Sequence, residues 1–146
     1  MSTTITTGEN KRQHLDFLQN VITRMNANSF AIKGWTVALV SALFALSAKD
    51  SQYQFIYVIG VVLPVFWGLD AYYLAQEKRY RALYDHVRAT DEGAIDFDMV
   101  VPESMVKANT VLSFVLTDSI GPLYIFITLV AGGVYYFLTH SLPKPV

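Results

Sequence analysis

A chain of 146 residues with 53% hydrophobic residues and a mean hydropathy of +0.33 is one small unit, too apolar for an ordinary soluble domain and normal for a small membrane protein. It has no cysteine, which excludes disulfides, thiol catalysis and cysteine-ligated metals. The net charge of −1 gives no global basic field, so any anion site must come from local clustering.

Residues 1–12 are polar and read as a flexible tail, with Thr7 or Asn10 available as a helix cap. They do not read as a signal peptide, because the first apolar run starts too late and is too long. Ser2 excludes N-myristoylation. From Gln13 the residues Leu15, Leu18, Ile22 and Met25 recur at steps of three and four, with Phe17 and Val21 widening the stripe. Asp16, Gln19, Asn20, Thr23 and Arg24 lie opposite. This predicts an amphipathic helix over 13–29, outside the membrane. No proline or glycine intervenes before Gly34, so the helix can run straight into the next segment.

Residues 30–75 form the organising stretch. Two apolar runs, 30–48 and 54–75, flank the polar turn Lys49-Asp50-Ser51-Gln52. A bilayer core about 30 Å thick takes roughly 20 residues of helix, so each run can cross it, and the short turn dictates an antiparallel hairpin. The competing reading is the buried hairpin of a soluble bundle. Against it, neither run carries the charged outer face of a soluble helix. Pro64, with Gly60 and Gly68 near it, predicts a kink.

The pattern continues below the second run, where Tyr73, Tyr80, Leu83, Tyr84 and Val87 make an apolar stripe. Residues 76–118 read as a cytosolic helix followed by an acidic loop. The two helical extensions pair as a stalk. Asp91-Glu-Gly93 ends the helix, and Asp91 to Glu103 reads as a solvated loop. Its Asp96-Phe-Asp98 matches a fragment of a calcium loop but lacks the downstream Gly and Glu. Met105 to Leu116 is mixed and suits the interface. Asp118-Ser119 reads as an N-cap and Pro122 as a first-turn residue of a third span over 119–139. Residues 140–146 are an external tail. The fold class is therefore an all-α membrane protein with three transmembrane helices.

Of the 11 Lys and Arg, nine lie before or in the opening of span one or between spans two and three; only Lys49 and Lys144 lie on the other side. The positive-inside rule predicts a cytoplasmic N-terminus and a periplasmic C-terminus. Trp35, Trp67 and the Tyr135-Tyr136 pair suit interfacial anchors.

No catalytic constellation, phosphate loop or nucleophile elbow is visible, and no cofactor is implied. His14, His86 and His140 are far apart, and the topology separates His140 from the others. Lys33 and Asp70 are the informative ionisable residues, since the hairpin brings them to roughly one depth. They read either as an ion-path or gate pair, or as a structural salt bridge with Lys33 snorkelling to the headgroups. Lys78, Arg79, Arg81 and Arg88, interleaved with Tyr80 and Tyr84, read either as a phosphate-holding and base-stacking site or as a stop-transfer cluster. Ala38, Ser41, Ala42 and Ala45 suit close helix packing between copies, and Gly132-Gly133 reads as another such contact.

The runs Met25-Asn-Ala-Asn-Ser-Phe-Ala-Ile-Lys-Gly-Trp35, Phe66-Trp-Gly-Leu-Asp-Ala-Tyr-Tyr-Leu74 and Arg79-Tyr-Arg-Ala-Leu-Tyr-Asp-His-Val-Arg88 resemble a family of small bacterial three-span proteins of anti-phage defence operons, the channel family of the Hailong system. The resemblance covers about residues 13–140. It implies a homo-oligomer, with a tetramer favoured, that depolarises the inner membrane when it opens. It also implies gating by a single-stranded DNA oligomer made by a partner nucleotidyltransferase. It carries no site residue. A non-conducting anchor or accessory subunit of a partner complex is the alternative.

Overall fold

In the computed structural model, residues 6–50, 54–105 and 120–140 are described, and within them all regular structure is helical. Helix α1 spans Thr6–Asp50, α2 spans Gln54–Ala89, and α3 spans Gly121–His140. Two 3-10 turns, Glu92–Ala94 and Glu103–Met105, lie between α2 and α3. The residues around Ser51, the segment from Val106 that includes the Asp118-Ser119 cap, and the tail from Ser141 fall outside the described residues.

Helix α1 starts about two turns before Gln13, inside the stretch read as a tail. Its first turns are held by the far end of α2. Lys11 Nζ donates to the carbonyls of Arg88 at 3.2 Å and Thr90 at 2.8 Å, which are among the acceptors a helix terminus leaves free. Gly8 passes so close to the next turn that a Cβ there would lie 3.3 Å from a Glu92 carboxylate oxygen. Helix α2 runs unbroken through Pro64, whose missing N–H leaves one carbonyl of the preceding turn unmatched.

Helices α1 and α2 pack along their whole length, and α3 rests mainly on α2. The seam of α1 is a row of buried residues, His14, Leu18, Ile22, Ser29, Thr36, Val40 and Ser47, with half-buried Met25, Lys33 and Leu43 filling the steps. Every step is three or four residues, which is what keeps one stripe of a helix facing its partner. Two cores result. The lower one joins Leu18 to Leu83 and Val87. The upper one joins Val40, Ile59, Leu63 and Ala71 to Tyr124, Ile127 and Ala131 of α3.

The segment after α2 is not simply a solvated loop. Ile95, Met99, Val101 and Met105 pack against the lower core. Its carboxylates serve the backbone: Asp98 N–H donates to Asp96 Oδ1 at 3.1 Å, and Val100 N–H donates to Asp98 Oδ1 at 3.0 Å. Phe97 between them has a φ of +56°, a conformation that L side chains rarely adopt.

The upper half shows its apolar side chains outward. Phe30 is 78% exposed, Trp35 65% and Leu129 70%; Val61, Val65 and Phe126 are exposed as well. Only 17% of the most apolar stretch of α1 and 28% of that of α2 is buried. A core helix of a soluble bundle would be mostly covered. Helices α1 and α2 are each long and apolar enough to cross a membrane. Helix α3, with 20 residues, is about 30 Å long. A Cβ on Gly132 or Gly133 would meet nothing within 4 Å, so the close contact expected there is not made within this chain. Ala38, Ser41, Ala42 and Ala45 are likewise exposed.

Candidate functional site: a polar node among three apolar helices

Asp70 sits where the three helices meet, with its side chain fully buried. The α1 stripe brings Ser29, Lys33 and Thr36 to it, because residues four and three apart share a helix face. Lys33 Nζ donates to Asp70 Oδ1 at 2.7 Å and to Ser29 Oγ at 2.9 Å. Ser29 Oγ–H donates to the same Oδ1 at 2.5 Å. The ammonium keeps a route outward, its side chain being 25% exposed. This is the arrangement that makes a charge tolerable in an apolar setting: paired, hydrogen-bonded and near an exit.

Helix α3 closes the node with Tyr124. Its ring stacks on Trp67 at 5.5 Å with the planes 1° apart, and its hydroxyl donates to the Phe66 carbonyl at 3.3 Å. The Thr36 hydroxyl donates to the Ile32 carbonyl at 2.8 Å, and its oxygen lies 3.5 Å from the Tyr124 hydroxyl. Asp70 Oδ2, by contrast, is buried and meets no donor. Sequence spacing brings together Lys33 and Asp70. Ser29 and Thr36 share a helix face with Lys33 but were not read as its partners. Nor was Tyr124, since nothing local shows where a third helix will dock.

The stalk residues fall on different sides of α2. Arg81 Nε donates to buried Glu77 Oε1 at 2.7 Å, and Arg88 lies 3.6 Å from Asp85, so both cations have an acidic partner one turn away. Arg79 is half-buried, and its Nε meets no acceptor. Lys78 is exposed. Tyr80 and Tyr84 are half-buried against the Leu18–Leu83–Val87 core, which covers part of the rings available for stacking. Glu77 and His14 were missed in the sequence. His14 is buried, edge-on to Phe97 at 5.7 Å, with Nε2 unpartnered. Their signal is position: both lie on the inward stripe of their helix.

Comparison with protein-family models, with curated proteins and with solved structures finds no match.

Proposed function

We propose that this chain is the subunit of an oligomeric ion channel in a bacterial inner membrane, an anti-phage defence effector gated by a single-stranded DNA or other nucleotide-derived oligomer that a partner nucleotidyltransferase makes. The observation that carries the channel reading is the pair of half-buried Lys33 and buried Asp70 inside a bundle whose upper outer face is apolar. Ionisable groups at such positions are costly and mark ion paths by default. The exposed belt of Phe30, Trp35, Val61 and Leu129 suits lipid or further copies of the chain, a tetramer being favoured. Defence and the oligonucleotide ligand rest on the family resemblance, and the cations of α2 supply a matching surface. The N-terminus is cytoplasmic and the C-terminus periplasmic in this reading, from the nine-to-two distribution of Lys and Arg.

Ion flux from liposomes holding the purified protein, with and without the oligomer, tests it. Flux that the oligomer modulates is the expected result, and silence under both conditions overturns it. Arg81→Glu with Arg88→Glu should abolish oligonucleotide binding while insertion persists, and binding to the parent should fall steeply with salt. The second reading, a non-conducting anchor, draws on the internal pairing of Arg81 and Arg88, which leaves less free charge for a ligand.

A further inference from the structure

We infer that the node around Asp70 is a binding site for a small monovalent cation, and that the Lys33 ammonium occupies it as a tethered cation in this conformation. The inference goes beyond the channel reading and stands whether or not the protein conducts.

Around Asp70 the hydroxyl protons are fewer than the oxygen lone pairs that face them. The Ser29 hydroxyl gives its proton to Asp70 Oδ1, the Thr36 hydroxyl to the Ile32 carbonyl, and the Tyr124 hydroxyl to the Phe66 carbonyl. The Tyr124 hydroxyl also faces Thr36 and Asp70, while Asp70 Oδ2, on a fully buried carboxylate, meets no donor. Apart from the Lys33 ammonium, each hydroxyl brings one proton against two lone pairs and the carboxylate brings none against about four, so oxygen acceptors outnumber donors. With the ammonium withdrawn, an oxygen-lined, acceptor-rich node with one negative charge suits a hard cation of charge one. Among the described residues no three His, Cys, Asp or Glu side chains gather, so a multiply charged metal lacks its usual ligands.

Lys33 already satisfies part of this demand. Its nitrogen stands 2.7 Å from Asp70 Oδ1 and 2.9 Å from Ser29 Oγ, distances at which a potassium ion also sits among oxygens, a sodium ion standing closer. The side chain is long and 25% exposed, so the ammonium can swing toward the surface and leave Asp70 facing a free cation. Lysine in and cation out, or the reverse, keeps the chamber neutral in both states.

The test is thermal unfolding of the full chain in detergent, in sodium, potassium or N-methylglucamine chloride at one ionic strength. Lys33→Ala should unfold several degrees higher in sodium or potassium than in the bulky organic cation, with a saturable concentration dependence. The parent should show no such difference, and Lys33→Ala with Asp70→Asn should lose it. Recovery of folded Lys33→Ala only in the small cations counts as the same result. Should that variant fold in no salt, Lys33→Gln is measured instead. Equal unfolding temperatures in all three salts, which a bound water would give, or a response that survives Asp70→Asn, which a cation held elsewhere would give, overturns the inference. Channel activity is not read, so failure of the liposome experiment and failure of this one are separate.

Discussion

The lower and upper halves of the α1–α2 hairpin both bury apolar side chains but differ in the polar groups they add to the interior and in the face they turn outward. Below, Leu18, Leu83 and Val87 are buried while Arg12, Arg81, Asp85 and Arg88 face outward. Above, Ser29, Thr36, Ser47 and Asp70 are buried while Phe30, Trp35, Val61 and Val65 face outward. Past about Ser29 the inward stripe of the same unbroken helix alternates Ser29, Thr36 and Ser47 with Val40, and the outward face turns apolar. In water, burying apolar surface drives helices together. In hydrocarbon that drive is absent, and polar contacts and close packing take over. A change of the outer face from charged to apolar is the pattern expected of a helix pair that passes from water into lipid.

The comparison breaks most severely at Asp70. Asp70→Ala leaves Lys33 without its counter-charge, at the low end of the ~3–5 kcal/mol range because the ammonium can escape outward. Unfolding in detergent should show this, and the swapped pair Lys33→Asp with Asp70→Lys should recover part of the loss. If the swap recovers nothing, the pair contributes less than its geometry implies.

Leu18→Ala tests the other half. Removing a fully buried leucine from a small core costs about 2–3 kcal/mol. Amide exchange should quicken around residues 11–25 and 80–95 and stay unchanged around Asp70, since the two cores share no residue. Exchange rising equally in both halves would mean that they unfold as one.

Tyr124→Phe keeps the stack on Trp67 and removes only the hydroxyl. The loss is that of one hydrogen bond, about 1 kcal/mol, read from the unfolding midpoint. The smallest effect belongs to Arg88→Ala. Its partner Asp85 is 3.6 Å away and both side chains are largely exposed, so after solvent screening stability should move by less than about 0.5 kcal/mol. A larger loss would show that the outer face of the stalk carries more than solubility.

The hairpin, its unbroken extensions and the shared depth of Lys33 and Asp70 were legible because each depends on periodicity and chain direction alone. The early start of α1 was not, because it rests on Lys11 reaching carbonyls 77 and 79 residues away. The fold-back of residues 95–105 escaped for a related reason. Ile95, Met99 and Val101 follow no clean period, and the acidic residues between them mask an apolar stripe. Tyr124 carries no local sign of its partners. The two faces of α2 were legible only in part: tyrosines read as stacking platforms are the residues that also extend the lower core.

An uninterrupted α1 also fixes a phase. Nineteen residues of helix separate His14, under Phe97, from Lys33, on Asp70. Inserting one residue between Ile22 and Ser29 turns everything beyond it by about 100° and shifts it by about 1.5 Å, so one contact or the other must be given up. Only matched insertions of about two turns in both helices keep both. The same coupling acts in small steps. With no hinge in between, a rotation imposed on the stalk at His14 arrives at Lys33 as a rotation of nearly the same angle, and a few degrees carry the ammonium along the rim of Asp70.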